Sequence, residues 1–194
     1  MGAGYSFFES CDEWKMTTVE IKPLAVETSA NLLEHFTRHR RESGVDGMHF
    51  MPFAPDDPDG PEGVSVEKVF WPLDKPGWQR WFCAHDTTSG TIIGHVNLKS
   101  DSLKAGLHRC ELGMGIEKAY RGLGLGKALM ERAINFSRGS KELSWIDLRV
   151  FAHNSPALAL YRKSGFTEVG ILRDRFRIQG QSIDDIVMVL NVAN

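Results

Sequence analysis

Apolar and polar positions along the chain recur with a period of either two or 3.6 residues, and changes of period mark where elements begin and end. From Thr17 to Leu24, Val19, Ile21 and Pro23 alternate with polar neighbours, which predicts a strand. Its proline, unable to donate to a ladder, assigns it to a sheet edge. Thr28 to Arg41 carries Leu32, Leu33 and Phe36 at helical spacing, behind a Thr28/Ser29 cap and ahead of Gly44. Val64 to Leu73 predicts a second short helix stopped by Pro72. Period-two alternation returns in Trp78 to His85 and in Ile92 to Leu98, joined by the turn "TTSGT". Arg109 to Ile116 is a further strand interrupted by Gly113 and Gly115, a sign of a bulge, a kink or a close backbone approach. Gly124 to Arg138 sets Leu125, Ala128, Leu129, Ala133 and Phe136 on one helical face. Trp145 to Ala152 is a cleanly alternating strand. Ser155-Pro156 then opens a short helix, with Ser155 as its N-cap and Gly165 as its end. Phe166 to Ile178 and Ile183 to Val192 form a closing hairpin around Gln179-Gly180-Gln181.

The resulting order, β-α-α-β-β-β-α-β-α-β-β, predicts one mixed α/β domain built on a central sheet. Met16 opens the first regular element. Residues 1–15 are therefore expected to be a flexible leader, with a functional arm as the alternative, and residues 16–194 a single domain. Between the first two helices lies "VDGMHFMPFAPDDPDGPEG", too rich in Pro, Gly and Asp to be periodic and long enough to suggest a functional loop.

Composition removes several classes of function. Among 194 residues the formal net charge is −2, which lacks the basic excess of an electrostatic nucleic-acid binder. No apolar window approaches the roughly 18 residues of a membrane helix, and the N-terminus lacks the pattern of a signal peptide. Cys11, Cys83 and Cys110 are far apart and show no zinc-ligand spacing, so no metal is expected and a reducing cytoplasm is the anticipated setting.

The chemistry concentrates in "YRGLGLGKALMERAINF". A strand, a glycine-rich turn and a helix start together form an anion site, because unpaired amides face the ligand and the helix dipole adds positive charge. The dinucleotide pattern GxGxxG fails, since after Gly122 and Gly124 the third glycine arrives one place early, at Gly126. The P-loop pattern fails too, with Arg121 at its first glycine and Ala128 after Lys127. Arg121-Gly122-Leu123-Gly124-Leu125-Gly126 fits the pattern RxxGxG instead. Together with "VFAHNSPALALYRKSGFTEVG" further on, it resembles the GNAT superfamily of acetyl-CoA-dependent N-acetyltransferases. The resemblance covers roughly residues 78–192, with residues 17–41 matching the family's first strand and helix.

That resemblance implies a central, mostly antiparallel twisted sheet with a splayed pair of neighbouring strands, flanked by helices. It implies acetyl-CoA as cosubstrate, its diphosphate on the amides of Arg121, Gly122, Leu123, Gly124, Leu125, Gly126 and Lys127. The pantetheine arm would run along Met114, Gly115 and Ile116, with Asn154 hydrogen-bonded to it or serving as a helix cap. The acetyl group would pass directly to a primary amine of a small molecule, amino acid or peptide N-terminus. Tyr161 matches the family's proton donor to the departing thiolate. Glu111 is the candidate general base, or else the ion partner of Arg109 or Arg149, and Glu117 is a second candidate. Cys83 and Cys110 sit in apolar strands and are expected to be inert. Backbone amides of Met114 or Ile116 would stabilise the oxyanion. No nucleic acid or membrane partner is expected; the sequence leaves the oligomeric state open, with a homodimer as one option because members of the family are often dimers.

The acceptor is expected between Gly44 and Trp78 and along residues 171–182. There Met48, His49, Phe50, Met51 and Phe53 precede Asp56, Asp57, Asp59 and Glu62, either an apolar wall beside carboxylates for a cationic amine or a solvated acidic loop with its aromatics tucked into the core. Arg173, Arg175 and Arg177 alternate, so they either bind an acceptor carboxylate or pair with Asp174, Asp184 and Asp185. The different-class alternative is a non-catalytic acyl-CoA-binding module; a nucleotide on the glycine turn is a third.

Overall fold

In the computed structural model, residues 18–54 and 65–193 are described. Cys11, the expected leader, Thr17 and the loop carboxylates Asp56, Asp57, Asp59 and Glu62 lie outside them. Among the described residues, seven strands and four α-helices follow in the predicted order: β1 (Val19–Pro23), α1 (Ser29–Arg41), α2 (Val66–Val69), β2 (Gln79–Asp86), β3 (Ile92–Ser100), β4 (Arg109–Ile116), α3 (Leu125–Arg138), β5 (Trp145–Phe151), α4 (Ser155–Lys163), β6 (Thr167–Ile178) and β7 (Gln181–Asn191). The strands form one sheet in the order β1-β2-β3-β4-β5-β7-β6. Every neighbouring pair is antiparallel except β4 and β5.

Strand alternation sends apolar side chains to both faces of this sheet. On one face Val96, Leu98, Cys110, Leu112, Ile146, Leu148 and Met188 pack under Leu125, Leu129, Met130 and Ala133 of α3 and Leu158 of α4. On the other face Trp81, Cys83 and Ile92 meet Leu32 of α1 and Val69 of α2, with Phe36 against them. A third cluster, Phe151, Ile178 and Ile183, joins the ends of β5 and the terminal hairpin. Gln179 and Gly180 both have positive φ (49° and 79°) and close that hairpin as a two-residue turn, whose hand suits the strand twist.

Four expectations change. The second helix is a single turn, Val66–Val69, because the Arg80 guanidinium draws the carbonyls of Val69 and Trp71 (2.8 and 2.7 Å) away from helical pairing just before Pro72. The N-cap of α4 is Asn154, whose Oδ1 accepts from the Ala157 amide at 3.3 Å, and not Ser155. β4 holds an unbroken register with β3 from Cys110 to Ile116, so Gly113 and Gly115 mark no bulge. A Cβ on Gly113 would lie 2.6 Å from Asn97 Oδ1, and one on Gly115 would lie 2.7 Å from His95 Cε1. These two glycines therefore make room for side chains of β3. In β6, Asp174 adopts φ 49° within a register shift between Leu172 and Phe176, which breaks the alternation of the three arginines. Arg173 pairs with Asp184 at 2.6 Å and Arg177 with Asp174 at 2.5 Å, while Arg175 lies over the Phe176 ring.

Leu129 is fully buried and Leu103 is 68% exposed. Leu129→Ala is expected to cost about 2–5 kcal/mol of unfolding free energy through lost transfer energy and a residual cavity. Leu103→Ala should stay within about 0.5 kcal/mol. Urea unfolding of the two variants checks the contrast.

Candidate active site

The glycine turn between β4 and α3 is shaped by two residues with positive φ, Gly122 (75°) and Gly124 (84°), the latter the N-cap of α3. A side chain at either position would be strained by that backbone, although nothing lies within 4 Å of where its Cβ would stand. The first helical amide to find a carbonyl is that of Ala128, which donates to Gly124 O at 3.2 Å. Among the described residues, the amides of Gly122, Leu123, Gly124, Leu125, Gly126 and Lys127 have no hydrogen-bond acceptor. Six donors are thus left open at the positive end of a 14-residue helix. The Arg121 side chain turns away from them. Its Nε donates to Ile116 O at 2.8 Å and its Nη2 meets Glu42 at 2.6 Å, so it fastens the turn to β4 and α1. Lys127 stays largely exposed at the mouth of a groove of about 810 Å³ between α3 and α4, which Pro156, Ala159, Leu160 and Lys163 also line.

Beside the turn the sheet opens. Parallel pairing of β4 with β5 stops at Leu112 and Leu148, beyond which β5 continues along β7 as far as Phe151. The Glu117 amide donates to Ile93 O on β3, and strand alternation gives Gly115 and Gly113 the same direction. Met114 and Ile116 consequently turn their amides and carbonyls toward the side β5 has left. The Ile116 carbonyl is taken by Arg121. Tyr161 and Asn154 belong to α4, the helix that follows β5. Tyr161 is 7% exposed, and burial pushes its phenol up to about 12, so it holds its proton throughout the neutral range. Glu111 sits where β4 and β5 are still paired, opposite Asp147. Its half-exposed carboxylate lies 3.4 Å from Arg149 Nε, while Arg109 pairs with Asp147.

The opposite face of the same opening carries a histidine cluster. His35 and His39, one helical turn apart on α1, and His95 on β3 are all buried. His35 Nδ1 lies 2.8 Å from Glu117 Oε1, and His35 Nε2 lies 2.9 Å from His95 Nδ1. His39 stacks on Phe50 of the long loop (centroids 4.7 Å apart), and Arg121 lies 4.8 Å over the same ring. Burial lowers all three imidazoles, His39 to about 3, with His35 and Arg121 adding repulsion there; at His35 the Glu117 carboxylate partly opposes the effect. These histidines have no motif. The one trace of them in the sequence is the i, i+4 pair on the face of α1 that also buries Leu32.

A family model described as the acetyltransferase (GNAT) family matches residues 48–166, more than half of the chain. The chain belongs to the GNAT acetyltransferase family. Among curated proteins it is 31% identical over 97 residues to the N-alpha-acetyltransferase RimI of Mycobacterium tuberculosis, covering 48% of this chain and 56% of that protein. It is 25% identical over 115 residues to the L-amino acid N-acetyltransferase AaaT of Escherichia coli, covering 59% and 69%. The chain therefore aligns with only about half to two-thirds of these relatives' length. A GNAT-family acetyltransferase structure from Streptococcus pneumoniae superposes with a TM-score of 0.74 at 25% identity, covering 89% of this chain and 99% of that one.

The GNAT residues expected from the sequence come together in part. The open amides, the outward edge at Met114 and Ile116, and the helix bearing Asn154 and Tyr161 surround the sheet's opening. Glu111 lies four residues from Gly115, about 13 Å down the strand. The buried thiols of Cys83 and Cys110 are pushed up to about 12, which leaves them poor nucleophiles.

Buried neutral histidines make stability depend on pH. In the folded protein their pKa values lie below the unfolded value near 6.5, so the unfolded chain binds more protons as pH falls. The stabilisation is complete above pH 7 and is lost as pH drops through 6.5 toward about 3, with His85 adding in the same direction. Urea midpoints are expected to decline between pH 7 and pH 5, a window above the carboxylate range. A flat profile there would contradict the burial.

Proposed function

We propose that this protein transfers an acetyl group from acetyl-CoA to a primary amine, most favourably the α-amino group of an amino acid or of a peptide N-terminus. The observation that carries this is the run of six amides at the start of α3 with no acceptor among the described residues, set beside a sheet opening where β4 has lost its β5 partner past Leu112 and only the Ile116 carbonyl is taken, by Arg121. Acetyl-CoA supplies an acetyl thioester. The amides of residues 122–127 fit its diphosphate, with Lys127 adding charge and Arg121 holding the turn in shape. Met114 and Ile116 offer an edge that pairs with the amide groups of a pantetheine arm, and the Asn154 side-chain NH2, which has no acceptor among the described residues, is available to the same arm while its Oδ1 caps α4. The α-amino preference draws on the names of the M. tuberculosis and E. coli relatives, both of which describe acetylation of amino groups of that kind. The two buried thiols argue for direct attack without an acyl-enzyme and suit a reducing compartment such as the cytoplasm.

In the reaction the amine lone pair forms the new C–N bond as the C–S bond breaks. Of the two protons an ammonium substrate gives up, one ends on the thiol and one in solvent. Tyr161 serves as donor to the leaving sulfur, and the outward amides of Met114 or Ile116 stabilise charge on the carbonyl oxygen. Glu111, held by Arg149 where β4 and β5 are still paired, acts here on the arginine and not as the base.

Purified protein with acetyl-CoA and a panel of amino acids, polyamines and N-terminal peptides should release free thiol in an amine-dependent way. Tyr161→Phe is expected to lower kcat by about 10²-fold with the KM for acetyl-CoA unchanged. Thiol release with no amine of the panel, or an unaffected Tyr161→Phe variant, would contradict the assignment.

A further inference from the structure

We propose that His95 is the general base for the amine, and that His35 and Glu117 position it and carry the proton away as a relay. This rests on the acetyl-transfer reading and adds to it the route by which an ammonium substrate loses its proton.

Three observations place the relay. The first is its connectivity. A carboxylate can only accept, so His35 Nδ1–H donates to Glu117 Oε1 (2.8 Å), which leaves His35 Nε2 to accept from His95 Nδ1–H (2.9 Å). His95 Nε2 is then a lone-pair acceptor. It makes no hydrogen bond among the described residues, in a residue that keeps 6% of its surface exposed. The second is its position. A Cβ on Gly115 would stand 2.7 Å from His95 Cε1 and 2.8 Å from His39 Nε2, so the missing side chain lets both ring edges close over β4. Gly115 lies between Met114 and Ile116, whose backbone groups face the side that β5 has vacated. The third is the surroundings. Phe36 and Trp81 flank the His95 ring at 4.9 and 5.5 Å and hold it in place.

This wiring resolves an apparent conflict, since rings buried in apolar surroundings resist taking a charge. The ammonium N–H bond breaks as a new N–H bond forms at His95 Nε2. The Nδ1 proton of His95 passes to His35 Nε2, and that of His35 passes to Glu117 Oε1. Both rings end neutral in the other tautomer, and the carboxylate becomes a carboxylic acid. One positive and one negative group thus become two neutral ones, with no imidazolium left in the dry site. Arg38, 3.0 Å from Glu117, favours return of the proton from the 12%-exposed carboxyl to solvent. The other titratable groups facing the relay are Glu34 and His39 of α1, Glu42 just past its end, Arg121 of the glycine turn, Tyr120 within electrostatic reach of Glu117, and Cys83, opposite His95 on β2.

The test measures kcat against pH from 6 to 9.5 at saturating acetyl-CoA, with the best amine of the panel, for wild type, His95→Gln and Glu117→Gln. His95→Gln is expected to lose about 10²-fold in kcat at pH 7, with the KM for acetyl-CoA within about twofold of wild type. The deficit should shrink as pH approaches the pKa of the amine, because an amine already neutral needs no base. Glu117→Gln should show a loss of about tenfold with the same pH shape. It keeps the carboxylate's size at a partly exposed site, so it carries the test should His95→Gln fail to fold. Variants with wild-type kcat across the range, or with a deficit that does not change with pH, would overturn the relay while wild-type turnover still supports acetyl transfer. A wild type that binds acetyl-CoA and turns over no amine would overturn both.

Discussion

Backbone amides at a helix start that no carbonyl reaches are costly unless water or a ligand satisfies them, and the described residues of this protein gather six in a row. The arrangement depends on Gly122 and Gly124 with φ near 75° and 84°, a conformation other residues adopt only at a cost. Much of the neighbouring structure serves to hold that turn. Arg121 gives its guanidinium to the Ile116 carbonyl and to Glu42, and a carboxylate of the same Glu42 accepts the Lys118 amide at 2.8 Å. The turn is thereby fixed to the sheet through β4 and to α1 through one carboxylate, and its own amides remain open.

The second constraint is the parting of β4 and β5. A parallel pair that ends after four residues leaves one strand edge unsatisfied within a sheet, and the same parting exposes the two faces of β4 to different layers. On the α3 and α4 side, Met114 and Ile116 pack against the core that holds Tyr161. On the α1 side the parting opens toward His39 and His95, over a strand position that only glycine can occupy. In the proposed reaction these two faces give donor and acceptor separate approaches to β4, which suits direct transfer between two bound substrates.

Much of the scaffold was legible in the amino-acid order because hydrophobic period reports burial directly. The sheet and its helices follow from alternation and from faces such as that of α3. The glycine turn was legible as well, since an RxxGxG pattern at a strand–helix junction has few other uses. The histidine cluster was not. His35 meets His95 across 60 positions of sequence and Glu117 across 82, which no local period encodes. For the same reason the order of residues leaves a bulge, a kink and a close approach all open at Gly113 and Gly115, and what these glycines accommodate are Asn97, His95 and His39 from other elements. The alternation of Arg173, Arg175 and Arg177 misled because one residue in positive φ, Asp174, resets the register. Glu111 drew notice for its place on β4, but its nearest charged partner is Arg149.

The central claim, that the amides of residues 122–127 receive a coenzyme diphosphate, is tested most directly by following their 15N–1H resonances during titration. Coenzyme A should shift the signals of Gly122 to Lys127 more than any others, and pantetheine, which lacks the diphosphate, should leave them in place. Shifts of equal size with pantetheine, or coenzyme A binding that leaves these six signals unmoved, would contradict the account.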